Sequence, residues 1–543
     1  MTGPPWWKET TVYQVYPRSF FDSNGDGIGD LRGVIARLDH LADLGVETLW
    51  LSPFFRSPQR DFGYDVSDYL EVAPEYGTTD EVRALIAAVH VRGMKLVFDL
   101  VLNHTSDQHP WFLASASSKT DTRRDWYLWR EGRGHRPPNN WRSMLGPGGW
   151  HRHPATGEWY WASFLPFQPD LNWRHPEVRA AMLGVVQHWL DAGVDGFRLD
   201  VFHALFKDAA FRDNPFAPRL MPTEEDPTGF FQRPAFTVHQ DETFALAREL
   251  RAMADAAQPP RMLLGEVFGD ASTLRRYLGE HADGLNRVFF FKALSTPFSA
   301  AAFAALISEA EAAFPEPLAP AWAFSNHDRP RSIARLGGDE RKAKLLAALQ
   351  LCLRGVPVLY YGEEIGLGHL DIALADAKDP VAERYSWVPR PLARWLEGRA
   401  ILLNRDVCRA PMAWDGTAHG GFTTGTPWLP ATGDAAQRNV AAQRGDPGSL
   451  LETYRRFLSL RKRSPALRAG DLTLLASLSP SVLAFRRGHA EGDATALFNF
   501  SERTVEVSLA GLPGTELTST CEAGPAPRTE RRALQPFEAA VLR

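Results

Sequence analysis

The chain has 543 residues, 44% hydrophobic and 23% charged, with 60 Lys and Arg against 65 Asp and Glu for a net charge of -5. This is the composition of a globular protein large enough for more than one domain. It excludes the basic field that a nucleic-acid backbone or an anionic membrane surface requires, so neither is expected as a partner. The cysteines, Cys352, Cys408 and Cys521, are odd in number and far apart, which argues against a disulfide framework and for a reducing, cytoplasmic setting.

At the amino terminus, MTGPPWWKET lacks the basic segment and apolar core of a leader, so the mature protein is expected to start here. Eight short β-rich apolar runs then follow, at residues 11–20, 46–53, 95–104, 194–201, 261–268, 285–292, 321–328 and 355–362. Between them lie segments with apolar residues at three and four spacing, among them 31–45, 79–93, 175–193 and 339–353, and these read as helices. Eight strand–helix units predict an α/β fold with a parallel sheet closed into a (β/α)8 barrel. The longest apolar run, 345–362, is interrupted by Arg354, Gly355 and Pro357. It fits a buried helix and a strand better than a membrane span.

Two stretches break the alternation. Residues 105–172 follow the third strand, have little periodicity and are too long for an ordinary loop, so they predict an inserted subdomain. Residues 363–448, rich in Gly, Pro, Asp and Trp, follow the eighth strand. After a helical segment at 450–468 the texture turns to short strands with frequent turns, predicting a C-terminal antiparallel β domain. The expected organisation is a barrel of 1–104 and 173–468, an insert of 105–172 and a β domain of 469–543.

Several barrel runs end in charge. The third carries Asp99, Asn103 and His104; the fourth Arg198, Asp200 and His203; the fifth Glu266; the seventh His327 and Asp328. Alternation along a strand puts Gly196, Arg198 and Asp200 on one face and Phe197 and Leu199 on the other. Carboxylates converging on one barrel rim are costly unless they bind a metal, pair with bases or do chemistry. Phosphate loops, GxSxG elbows and zinc-spaced ligands are missing from the sequence, so paired carboxylates remain. Glycoside hydrolysis needs such a pair, one carboxylate as nucleophile or base and one carboxyl as proton donor. An arginine beside the first is expected to hold its pKa low, while a partly buried glutamate stays protonated longer.

The segments DLVLNHTS (99–106), GFRLDVFH (196–203), GEVF (265–268) and FSNHDRPR (324–331), preceded by YQVYPRSFFDSNGDGIGDLRGV (13–34), resemble the α-amylase superfamily of retaining glycoside hydrolases. The resemblance implies Asp200 as nucleophile, Glu266 as general acid and base, and Asp328 as the carboxylate that stabilises the transition state. Arg198 would orient Asp200, His104 and His327 would bind sugar hydroxyls, and Asp99 would support the site indirectly.

RDFGYDVSDY (60–69), QPDLNW (168–173) and RDVCRAPMAWD (405–415) resemble the oligo-1,6-glucosidase and exo-α-glucosidase branch. There Asp61 and Tyr64 close the non-reducing end of the pocket, and Arg405 and Arg409 line it. This implies a small oligosaccharide or disaccharide substrate, cleaved at its terminal glucose. Val201 after the nucleophile favours α-1,6 linkages and leaves α-1,4 open; Phe202 and His203 depart from the Ile-Asn common in that branch. Trp161 and Phe164 are candidates for the pocket wall.

No cofactor is implied for catalysis. DSNGDGIGD (22–30) implies a structural Ca2+ or Mg2+ held by Asp22, Asn24, Asp26, the Ile28 carbonyl and Asp30, since alternating acidic residues around glycine give a hard cation its oxygen ligands. A glucosyl transferase or a sucrose- or trehalose-isomerising enzyme would use the same triad, and a non-catalytic partner subunit could keep the barrel. The oligomeric state is not legible in the sequence.

Overall fold

The structure, a computed structural model, describes residues 5–146, 148–397, 402–476, 478–512, 515–521 and 530–543. The first four residues of the amino terminus read above lie outside the described residues.

All eight barrel strands form where the apolar runs predict them, each shorter than its run. They are β1 Val12–Val15, β2 Thr48–Leu51, β3 Lys95–Leu100, β4 Gly196–Leu199, β5 Met262–Gly265, β6 Arg287–Val288, β7 Ala321–Ala323 and β8 Val356–Tyr360. Their order in the sheet is β6-β5-β4-β3-β2-β1-β8-β7, so each strand pairs with its neighbour in sequence except β6 and β7, which end the order, and β1 lies beside β8. Just past β6, the Phe290 N–H donates to the Ala321 carbonyl at the start of β7 (3.0 Å). This is the parallel β/α barrel expected, with its insert after β3 and an antiparallel β domain at the carboxyl end.

The chain divides into two compact units. One comprises residues 50–87 and 96–289. In it, Phe98 of β3 packs edge-on against Phe54 (4.8 Å) and Trp189 (5.5 Å), the latter on the helix Pro176–Asp191. This apolar face points away from the one that carries Asp99. The insert forms a three-stranded antiparallel sheet of Trp129–Arg130, Trp150–Arg152 and Trp159–Trp161. Its core is Leu128, Trp141, Trp150 and Trp161, with Phe211 and Phe236 packed against it. Trp161 is therefore a core residue and not the pocket wall expected of it.

The other unit comprises residues 1–49, 88–95 and 290–543. Here the helix predicted at 31–45 is two, Leu31–Ala36 and Leu38–Leu44, broken at Arg37. The guanidinium of Arg37 stacks on Phe21 (3.9 Å) and Trp414 (4.5 Å), tertiary contacts that override the local periodicity. Gly45, at φ 98°, ends the second helix in the left-handed conformation that glycine adopts without strain. The predicted helix at 450–468 also divides, at Ser464, because Pro465 starts a new helix.

Beyond it lie β9 Asp471–Leu474, β10 Val482–Gly488, β11 Ala494–Asn499, β12 Val505–Ser508, β13 Glu516–Ser519, β14 Arg531–Leu534 and β15 Ala539–Leu542. Five of these form a sheet in the order β9-β10-β11-β15-β13, and β12 pairs with β14. Neither β13 nor β14 was read from the sequence. The buried Val482, Ala484, Leu497, Val507, Leu534, Ala540 and Leu542 form one core, each large side chain contributing about 1.5–3 kcal/mol by burial. Among the described residues, no helix is long and apolar enough to cross a membrane.

Candidate active site

The register of the parallel strands places Arg198 of β4 level with Asp99 of β3. Pairing continues past the strand ends: the Asp200 N–H donates to the Leu100 carbonyl (3.1 Å) and the Glu266 N–H to the Leu199 carbonyl (2.9 Å). Both carboxylates thus stand at the carboxyl ends of adjacent strands. Arg198 Nη1 donates to Asp200 Oδ1 (2.7 Å) and Asp99 Oδ1 (2.8 Å), and its Nη2 lies 2.8 Å from Glu266 Oε2. One guanidinium therefore bridges three carboxylates. All four side chains are buried: Arg198 and Asp99 are 1% exposed, Glu266 4% and Asp200 6%.

The residue after Asp200 is strained. Val201 has φ 36° and ψ 43°, a left-handed conformation costing a β-branched residue about 1–3 kcal/mol. Its N–H donates to Glu266 Oε2 (3.0 Å), the same oxygen that faces Arg198. With Oε2 occupied twice, Oε1 is the oxygen suited to carry a proton.

The electrostatics correct the expectation that Arg198 holds the Asp200 pKa low. Burial pushes the Asp200 carboxyl well above the usual carboxylate range; Arg198 opposes this, while Glu266 and Asp99 reinforce it. Burial also raises Asp99, to about 6, against Arg198. One cation cannot offset the burial of both Asp99 and Asp200, so these two hold their protons to higher pH than a lone carboxyl.

Near this cluster, Tyr64 donates its hydroxyl to Asp99 Oδ2 (3.2 Å), as does the Trp50 indole (3.1 Å). Asp61 accepts from Gln168 Nε2 (2.9 Å). The loop carrying Asp61 winds around Asp65, which accepts from the Ser57 hydroxyl (2.8 Å) and from the backbone N–H groups of Arg60 and Asp61 (both 3.0 Å). Burial raises Asp65 to about 7. His104 meets the Tyr64 carbonyl through Nε2 (3.1 Å), and its ring lies 5.6 Å from that of Phe164. The QPDLNW segment thereby acquires a physical reading: Gln168 holds Asp61, Asp170 pairs with Lys207, and the Trp173 indole donates to the Leu102 carbonyl (2.8 Å). Gln168, Asp170, Lys207 and Asp65 were not singled out from the sequence. That six-residue signature was the signal that could have found the first two.

The other unit gathers a second group past β7. His327 Nε2 lies 3.2 Å from Asp328 Oδ2, while its Nδ1 meets Gln14 Nε2 (2.8 Å) and Tyr16 stacks on the ring. Arg409 donates through Nη2 to Asp328 Oδ1 (2.9 Å) and through Nε to the His327 carbonyl (2.9 Å). Arg405 Nη1 is 3.4 Å from Asp328 Oδ1, and Nη2 donates to Asp379 Oδ1 (2.7 Å). Asp379, which sequence reading missed, is held below the usual carboxylate range by Arg405 despite its burial.

The acidic loop is wound by its own side chains. Asp22, Asn24 and Asp26 each accept from the backbone N–H two residues on (3.0, 2.9 and 2.8 Å). Asp30 caps the next helix through the Gly33 N–H (2.7 Å) and accepts from the Ser23 N–H (2.9 Å). Among the described residues, no three His, Cys, Asp or Glu side chains converge to hold a metal ion. A cation here would need the Asn24 amide and the Ile28 carbonyl besides the carboxylates, an oxygen-only set that suits Ca2+ or Mg2+.

An eight-stranded β/α barrel with buried carboxylates at its strand ends defines a class of barrel enzymes whose chemistry is built on the carboxyl rim. This chain belongs to the α-amylase family: residues 14–470 match its description "Alpha amylase, catalytic domain". It is 39% identical over 523 residues to a "Probable alpha-glucosidase" of Rhizobium meliloti (strain 1021), covering 93% of this chain and 91% of that protein. It is 35% identical over 526 residues to an oligo-1,6-glucosidase of Parageobacillus thermoglucosidasius, covering 92% and 91%. Among solved structures, an alpha-glucosyl transfer enzyme matches with a TM-score of 0.88 at 37% identity, covering 100% of both chains.

Proposed function

We propose that this protein is a retaining exo-α-glucosidase that hydrolyses terminal non-reducing glucose from short oligosaccharides, favouring α-1,6 linkages and accepting α-1,4. The observation that carries the reading is the Arg198 bridge, which keeps Asp200 and Glu266 in the close setting of a nucleophile and acid pair. Arg198 occupies Asp200 Oδ1, so Oδ2 attacks the anomeric carbon while Glu266 delivers a proton from Oε1 to the leaving oxygen. The glycosidic bond breaks, and glucose is held as an ester of Asp200. Glu266, now a carboxylate, takes a proton from water, whose oxygen attacks the anomeric carbon and releases Asp200. Asp328 serves the sugar hydroxyls and the developing oxocarbenium charge, oriented by Arg409 and Arg405. Asp61, Tyr64, His104 and His327 bind the terminal glucose.

Asp200→Ala tests this: hydrolysis of an aryl α-glucoside should disappear, and unchanged turnover would refute the mechanism. Relative kcat/KM on isomaltose, maltose, sucrose and trehalose fixes the linkage. The likeness to an alpha-glucosyl transfer enzyme favours a second reading in which a sugar replaces water as acceptor. Larger oligosaccharides or isomerised disaccharides accumulating at high substrate concentration would establish it.

The loop 22–30 is assigned a structural Ca2+ or Mg2+ on Asp22, Asn24, Asp26, the Ile28 carbonyl and Asp30, away from the chemistry. Titration calorimetry with each ion, repeated on Asp26→Ala, tests it: no heat from the parent protein would reject the site. The free cysteines, two of them buried, support a reducing, cytoplasmic setting.

A further inference from the structure

The structure assigns Asn103 and Lys207 a part in the reaction: they are positioning residues that fix the proton of His104 on Nε2. This rests on the proposed role of His104 in binding the terminal sugar. Asn103, His104, Asp170 and Lys207 are all buried. The Lys207 ammonium pairs with Asp170 and donates to Asn103 Oδ1 (2.8 Å). An ammonium only donates, so the amide must turn its oxygen to Lys207 and its nitrogen to His104. Asn103 Nδ2 lies 3.1 Å from His104 Nδ1. That nitrogen must therefore be bare, because a proton there would face the amide N–H.

The other edge of the ring agrees. Nε2 lies 3.1 Å from the Tyr64 carbonyl, which only accepts, so Nε2 carries the hydrogen. Two neighbours on opposite edges select one neutral tautomer. Asp170 and Asp61 favour the imidazolium, whereas burial and Lys207 oppose it; the Asn103 N–H on Nδ1 adds a direct block. His104 thus keeps one fixed N–H, on Nε2, which a sugar hydroxyl reaches by sharing it with the Tyr64 carbonyl, and the ring is neither a cation nor an acceptor. Without Lys207, the Asn103 amide could reverse and the imidazole proton would be free to move to Nδ1.

Asn103→Asp tests the device while leaving Lys207 a partner. The new carboxylate accepts from Nδ1–H, so the neutral ring loses its Nε2 hydrogen and only the imidazolium keeps that donor. On an aryl α-glucoside, KM of the variant should rise about tenfold as pH climbs through a new ionisation, with no such step in the parent enzyme. The step should vanish in Asn103→Asp/His104→Gln. A uniform loss at every pH would overturn the inference.

Should the variant not fold, the parent protein decides. Nitrogen-15 histidine spectra, with His104 identified by its absence in His104→Gln, should show the Nε2–H form, and an Nδ1–H ring or an imidazolium at pH 7 would overturn the assignment. Absence of α-glucoside hydrolysis in the parent would reject the catalytic reading instead, and leaves this spectrum as an independent test.

Discussion

Replacing Arg198 with Met removes the cation that bridges Asp99, Asp200 and Glu266. A charge pair at about 4 Å is worth about 4 kcal/mol at an effective dielectric of 20, or about three decades in an ionisation constant. The Asp200 carboxyl, already raised by burial, should therefore bind its proton more tightly still. The acid limb of the kcat/KM profile should move up by about three pH units, so activity on the acid side of the parent's limb should fall about 1000-fold.

Stability adds a second readout with a definite sign. Carboxyls whose folded pKa is raised above the unfolded value stabilise the fold least once the unfolded chain ionises and the folded one resists. The variant should therefore lose Tm relative to the parent as pH rises from 5 to 8, and approach it at pH 4. Arg198→Lys, which keeps charge but not the planar fork, should show smaller shifts of both kinds. Profiles of kcat/KM recorded from pH 4 to 10, beside thermal melts, test the argument. A loss of rate equal at all pH values, with the acid limb unmoved, would refute it and reduce Arg198 to a structural tie.

Three further outcomes are expected. Gln168→Ala removes a hydrogen bond to the Asp61 carboxylate, worth about 1.5–3 kcal/mol; KM for isomaltose should rise roughly 10- to 100-fold with kcat nearly constant, and an equal fall in kcat would contradict a binding role for Asp61. Asp65, raised to about 7 by burial, contributes stability that is full below about pH 4 and lost as pH climbs to 7, about 4 kcal/mol in all; Asp65→Asn should flatten that part of the Tm profile, and an unchanged slope would exclude Asp65 as its source. Val201→Ala removes branching beside the nucleophile, and differences of this size in a pocket discriminate by about 10- to 200-fold; the kcat/KM ratio of isomaltose to maltose should fall at least tenfold, and a constant ratio would detach linkage preference from this residue.

Much of the molecule was legible because its signals are local. The eight strands follow from runs of apolar residues, and the polar residues that end them stand out against such runs. The Arg198 and Asp200 pairing also follows from two-residue alternation along a strand, since neighbouring positions on one face are fixed by backbone geometry. Contacts between distant segments left no such mark. Gln168 on Asp61, Lys207 on Asn103 and Arg405 on Asp379 join residues 107, 104 and 26 positions apart. Trp161 shows the same limit from the other side: its closeness to the QPDLNW segment suggested the pocket, but its ring was claimed by the aromatic core of the insert.

The sequence by itself determined which residues can do acid–base chemistry here and on which strands they sit, because side-chain type and strand periodicity are properties of the local chain. Only the tertiary structure decided their protonation. Asp200 was expected to be low beside Arg198, yet burial and two further carboxylates drive it upward. Desolvation depends on everything packed around a group, and that surrounding exists only once the barrel is folded.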